Sequence, residues 1–255
     1  NLINNGTIYH DLSNAAYSNN VYGDFTNTNL FNFTAASAST VAGSAASNFN
    51  VSGNFTNNGT INHTSTAGVF MLQGVSKTLN TASSGATYTK NTKITIDNGA
   101  SYTANNSPVI KALVINSTGT LNLLSGGSVN FATQNITQTG TINFNDGRLE
   151  VEQASPILTN ATFNGGTGTF CYCSGKNYAV VAQNLPAGTF NFSGIDIGTA
   201  SVATALSASA NTYNLTGNWT NYDTFTLSTS TIIFNRTALH NIGGTKTTTF
   251  SKFII

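Results

Sequence analysis

The chain has 255 residues, nine Lys or Arg, eight Asp or Glu and a net charge of +1. Charged residues make up 7% of it, against roughly 25% in average globular chains. Nine scattered cations do not build the clustered basic surface that nucleic acid requires, and no run of about 18 apolar residues reads as a membrane-spanning helix.

The rest of the composition points to strands. Hydrophobic residues make up 39%, with 16 Phe and 9 Tyr, too apolar for a disordered chain. The 37 Asn, 41 Thr and 25 Ser far outnumber the helix formers Glu, Met and Lys. Thr, Val, Ile and the aromatics suit a pleated, half-buried surface, while Asn and Gly supply turns. Asn1-Leu2-Ile3 has neither a basic start nor an apolar run, so no signal peptide is read there.

Three twelve-residue segments align without gaps: VYGDFTNTNLFN at 21–32, VSGNFTNNGTIN at 51–62 and LTGNWTNYDTFT at 215–226. Each has Gly at its third place (Gly23, Gly53, Gly217) and an aromatic at its fifth (Phe25, Phe55, Trp219), followed by Thr-Asn. Residues 1–9 match 54–62 at six of nine places, so the chain opens inside a copy. A segment of a longer protein is expected.

Further along, the small-residue tracts 35–47 and 198–211 are expected to be loops, with a short helix open in either. Lys93–Asp97, Thr120–Leu123 and Thr141–Asn145 alternate apolar and polar side chains, the period of a half-buried strand. A Gly-Thr-apolar mark recurs at Gly6, Gly59, Gly119, Gly140, Gly168 and Gly188, with a related Gly99. Its spacings of about 20 are those of solenoid coils, which bury their apolar faces only by stacking.

The expected fold is therefore a single parallel β-helix (β-solenoid) over 1–255. Coils of about 20 residues would give roughly 12 coils and a rod of about 60 Å at the usual strand spacing. Stacked Asn would form amide ladders. Tandem β-sandwich modules, whose turn signals recur every 8–12 residues or so, are the alternative. The finish Phe250–Ile255 reads as a core strand, to be covered by further coils or domains of the same protein or by a partner chain.

Candidate chemistry is sparse. Cys171 and Cys173 read as two inward side chains, a disulfide at a turn, or the start of a metal site; no nearby His or acid completes four metal ligands. The stretch Asp146-Gly147-Arg148-Leu149-Glu150-Val151-Glu152 is the notable acidic run, read as a solvated strand. A sugar-cleaving site needs two placed carboxylates. An enzyme would thus gather at least two of Asp146, Arg148, Glu150, Glu152 and Asp196 in one groove. His10, His63 and His240 lie apart and read as surface or turn residues. Gly126-Gly127, Gly165-Gly166 and Gly243-Gly244 read as turns. An ordered Thr face on a solenoid can bind ice, but the Gly-Thr marks do not keep Thr in successive rows. No catalytic, cofactor or metal residues are assigned.

Leu215-Thr216-Gly217-Asn218-Trp219-Thr220-Asn221, followed by Ile232-Ile233-Phe234-Asn235, Ile242-Gly243-Gly244 and Thr247–Phe250, resembles the Asn/Thr/Gly-rich β-strand repeats of large Bacteroidota surface proteins. The resemblance covers about 40 residues at the C-terminal side and, more weakly, 51–96. It implies export by the type IX secretion system and attachment to the outer surface, with secretion or anchoring proteins as partners; the C-terminal sorting domain of such cargo is expected either to lie downstream of this segment or to have been removed. The expected function is a non-catalytic structural or adhesin-like stalk that binds surfaces or glycans weakly and multivalently. A head-to-tail filament subunit and a carbohydrate-active β-helix enzyme are the alternatives.

Overall fold

The computed structural model describes residues 1–11, 18–34, 48–63, 69–81, 92–125, 129–152, 162–164, 167–173, 183–185, 189–192, 194–198, 206–208, 212–227, 229–235 and 239–255. Among these there is no helix, and every strand pairing is parallel. The chain is a β-solenoid. Sandwich modules, built on antiparallel pairs, are ruled out.

An eleven-stranded sheet runs from Ser18–Val21 through Asn48–Val51, Val69–Leu72, Lys93–Ile96, Val109–Ile115, Asn130–Gln138, Arg148–Val151, Thr169–Tyr172, Gly194–Ile197 and Trp219–Asn221 to Ile242–Gly244. An eight-stranded sheet faces it, from Leu2–Asn4 to Thr162–Asn164. Eleven strands at the usual spacing make a stack of about 50 Å.

Coils average about 23 residues rather than 20, and their lengths vary. The offset is 30 from Val21 to Val51 but 19 from Ile96 to Ile115. The Gly-Thr marks understate it because they do not all sit on one sheet. Thr120 pairs with Thr141, consecutive coils of the eight-stranded sheet. Thr169, however, pairs with Gly194 in the eleven-stranded sheet, whereas Thr189 begins a strand of a separate four-stranded sheet.

The third side of the coil changes place along the stack. In the first three coils it is the sheet Thr7–Asp11, Leu30–Thr34, Thr60–His63, which follows the eight-stranded sheet in chain order. Near the other end it is Gln183–Leu185, Leu206–Ala208, Phe225–Leu227, which precedes the four-stranded sheet Thr189–Phe192, Thr212–Leu215, Thr231–Phe234, Lys252–Ile254. Leu206–Ala208 is thus a strand inside the tract expected to be a loop; 35–47 lies outside the described residues, as do Gly126-Gly127 and Gly165-Gly166. Gly243 and Gly244, expected in a turn, pair with Thr220 and Asn221.

The twelve-residue repeat proves to be a corner. Gly23 and Gly53 lie between a strand of the eleven-stranded sheet and one of the eight-stranded sheet. Gly217 lies at a different corner, between the four-stranded and eleven-stranded sheets. Corners stack closely: Gly53 donates its N–H to Gly23 O at 3.0 Å, and a Cβ on Gly53 would run into the backbone of Gly23 and Asp24. The aromatic two residues on turns inward. Phe25 stacks on Phe55 at 5.2 Å between ring centres, and Trp219 packs edge-on against Phe225 and Phe250. One continuous apolar core results.

Asn columns run both inside and outside this core. Asn4 Nδ2 donates to Asn27 Oδ1 at 2.7 Å and Asn27 Nδ2 to Asn57 Oδ1 at 2.7 Å, all three side chains buried. The next position in register is Thr81, where the column stops. Among the described residues, Asn57 Nδ2 and Thr81 Oγ1, both buried, have no hydrogen-bond partner. On the outer face, Asn164 donates to Asn143 at 2.7 Å and Asn143 to Asn122 at 2.6 Å.

Tyr102 ties three coils together. Its hydroxyl accepts from Gly74 N–H at 3.1 Å and lies 3.0 Å from Val51 O and 2.8 Å from Gly53 O as donor. Burial pushes its pKa up to about 12, partly opposed by the Gly74 N–H and assisted by Asp24. Tyr172, fully buried, is raised well above the ordinary range by burial first and by Tyr213 second.

Two outcomes follow from this packing. Asn27→Ala strands a donor of Asn4 and an acceptor of Asn57, and is expected to cost about 2–3 kcal/mol in urea unfolding. Asn143→Ala, on the solvent side, should stay within about 0.5 kcal/mol. For the phenols, both folded pKa values lie above the unfolded value of about 10. Their contribution is therefore complete below pH ~10 and is lost as pH rises through the folded values. Stability measured against pH should fall between about 10 and 12, and less steeply in Tyr102→Phe.

Candidate functional site

Parallel register gathers the one charged cluster that the sequence hinted at. In the strand Arg148–Val151, Leu149 and Val151 point into the core, so Arg148 and Glu150 point out. The same alternation puts Phe170 and Tyr172, then Ile195 and Ile197, inside. Glu150, Cys171 and Asp196 therefore form one outward row on consecutive coils.

Arg148, two residues from that row on the same outward face, reaches across to it. Its Nε donates to Glu150 Oε1 at 3.0 Å, its Nη1 to Asp196 Oδ2, and its Nη2 lies 3.4 Å from Cys173 Sγ. Asn130 Nδ2 donates to the same Glu150 oxygen at 3.0 Å. The guanidinium thus bridges two carboxylates 46 positions apart and a sulfur, clipping neighbouring coils together. A planar five-donor fork suits such bridging better than a lysine would.

The acidic run is not the solvated strand expected. Glu150 and Glu152 are each 1% exposed, while the Arg148 and Asp196 side chains keep 24% and 17%. A buried carboxylate is tolerable when paired and hydrogen-bonded, and Glu150's partners come from the preceding coil and its own strand. Asp196, which completes the cluster, is 48 residues from Arg148; no local pattern announces it.

Cys171 and Cys173 are joined as a disulfide, with their α-carbons 5.4 Å apart. Both are buried. The separation is shorter than the extended-strand value of about 6.5–7 Å because Cys173 lies past the strand's end at Tyr172, where the chain departs from full extension. Among the described residues no group of three or more His, Cys, Asp or Glu could hold a metal.

Of the five residues whose convergence would mark an enzyme, Arg148, Glu150 and Asp196 come together; Asp146 stays at the turn before the strand. Both contacting carboxylates sit on one guanidinium. A glycosidase pair instead flanks the scissile bond from opposite sides.

The histidines remain separate from this cluster. His240 sits by a corner, its Nδ1 2.8 Å from Gly217 O and its ring edge-on to Phe234. Backbone register alone aligns His10 with Phe33 and Phe33 with His63, placing the two histidines in one column two coils apart. Such a column is invisible to sequence spacing because the intervening coils differ in length.

Another ordered carboxylate sits at an outer corner. Asp97 accepts from Gln73 Nε2 at 3.1 Å, Asn116 Nδ2 at 3.1 Å and Asn98 N–H at 2.8 Å. Desolvation pushes its pKa up, but these bonds outweigh it and hold the carboxyl below its ordinary value. Its stabilising share is present above the unfolded pKa and is lost as pH falls through the folded one.

Removing the cation tests the clip. Arg148→Met leaves Glu150 buried without its ion pair, and the expected loss is about 2–3 kcal/mol by urea unfolding, reduced from a fully buried pair by the partial exposure of Arg148. Adding Glu150→Gln should restore part of that loss; an Arg148→Met variant as stable as the parent would show the clip to be idle. Comparison of the chain with protein-family models, curated proteins and solved structures finds no match.

Proposed function

We propose that the protein is a non-catalytic, rod-like structural element of the extracellular or outer cell surface, adhesin-like in binding surfaces or glycans weakly and many times over. The observation that carries this reading is the unbroken eleven-stranded parallel sheet, in which each coil is held to the next by backbone bonds, with aromatic stacks and amide pairs joining some coils of the facing sheet. Such a stack is a spacer: the side-chain ties described above run between coils one or two steps apart, and length adds without new architecture.

Its chemistry suits an unbuffered exterior. With 7% charged residues, few contacts are ionic and so few respond to salt. The Cys171–Cys173 bridge persists in oxidising compartments. Outward Thr and Asn side chains supply uncharged donors and acceptors, individually weak and additive through multivalency.

Two measurements test it. Thermal unfolding should be unchanged from millimolar to molar salt, and the chain displayed in many copies should hold to glycan- or polymer-coated sensors where the free chain dissociates at once. Equal, negligible retention of both forms would defeat the adhesive part. The gathering of Arg148, Glu150 and Asp196 favours one second reading, a polysaccharide-cleaving enzyme. Release of new sugar ends by the chain, abolished in Glu150→Gln, would establish it in place of the first.

A further inference from the structure

Thr rows exist in the fold against expectation, and two of the Gly-Thr marks, at Thr120 and Thr141, lie in one of them. In the eight-stranded sheet Ser101, Thr120, Thr141 and Thr162 are aligned residue on residue, and two positions along the same strands Thr103, Asn122, Asn143 and Asn164 are aligned likewise. Tyr102, Leu121, Ile142 and Phe163 between them point into the core. The two columns are therefore outward, with Thr162 and Asn164 the most exposed. Unequal offsets hide the columns in the sequence, 19 from Ser101 to Thr120 and 21 from Thr120 to Thr141.

The result is a two-dimensional grid. Its repeat is about 4.8 Å along the stack and about 6.7 Å across two residues of a strand. None of the eight positions is charged and none is aromatic. Thr120, Thr141 and Thr162 make no side-chain hydrogen bond among the described residues, so their hydroxyls are left for solvent. The grid is also stiff. Threonine is restricted at χ1 by its branched Cβ, the Asn column is cross-linked at 2.6 and 2.7 Å, and the strands beneath are held by the core. The same alignment recurs where Thr212 pairs with Thr231 in the four-stranded sheet.

Water bound to such a face is held at a fixed repeat by hydroxyls and excluded from the γ-methyls beside them. Little side-chain entropy remains to be lost when that water becomes part of a lattice. A sugar polymer would gain from an aromatic platform, and a charged surface from ions; this face offers neither. We propose that the outward Ser/Thr and Thr/Asn columns between Ser101 and Asn164 form an ice-binding surface, the lattice repeats of ice being close to those of the grid. The proposal rests on the surface-binding reading above and names the surface.

The test is ice shaping and thermal hysteresis of the whole chain, with capture of the labelled chain into a slowly growing ice front. The chain should facet ice crystals and enter the ice. Thr141→Tyr, at the centre of the grid, should lose both effects with its circular dichroism and melting temperature unchanged. Thr137→Tyr, outward on the eleven-stranded sheet, should keep them; should Thr141→Tyr fail to fold, Thr162→Tyr at the exposed edge takes its place. A folded parent chain that neither shapes ice nor enters it overturns the proposal, as does a folded grid variant that retains full activity. Retention on glycan or polymer sensors, read in parallel, separates the two claims. A chain that holds polymers but ignores ice overturns this assignment and leaves the surface-binding reading standing.

Discussion

Parallel in-register stacking governs this molecule. Each strand bonds to the strand one coil before and one coil after, so a side chain's nearest neighbours are its register equivalents rather than its sequence neighbours. An apolar residue then finds an apolar column, as Phe25 does over Phe55. A buried amide finds another amide, as Asn27 does between Asn4 and Asn57. The cost of burying a polar group is met only while the column continues. At Thr81 it changes chemistry, and two buried polar atoms have no partner among the described residues at that step.

The same rule concentrates charge. Few ionic groups are available, yet Glu150 and Asp196 fall on one row of one face, with Arg148 two residues away on the same face. Coils that carry them become coupled by more than backbone bonds. Placed beside a disulfide on the same coils, the ion pairs read as a local clasp in a rod otherwise held by neutral contacts. Outside, register turns unremarkable Thr and Asn residues into a repeating hydroxyl and amide pattern. A stalk and a binding face are then two consequences of one arrangement: the inward columns supply rigidity, and the outward columns inherit it.

Corners bear the cost of stacking. Backbones approach there closely enough that Gly53 cannot carry a Cβ, and the aromatic two residues on fills the space the turn opens. The motif is tied to that geometry and not to a particular sheet, since Gly217 serves a different corner from Gly23 and Gly53. This explains how a repeat can be strong in sequence while its copies occupy different sides of the coil.

What the sequence determined was the strand period, the repeat and the composition, and these suffice for an all-β solenoid. Alternation in Thr120–Leu123 and Thr141–Asn143 is local chemistry, legible wherever one face is buried. Coil length was only approximately legible, because loops of unequal length separate the marks and some marks belong to different sheets, as Thr169 and Thr189 do. Only tertiary structure decided which residues share a row. The partner of Arg148 at Asp196, the burial of Glu150 and the outward alignment of Thr120, Thr141 and Thr162 depend on register across coils. Register is set by the summed fit of core side chains and corners, a quantity no single stretch of chain contains.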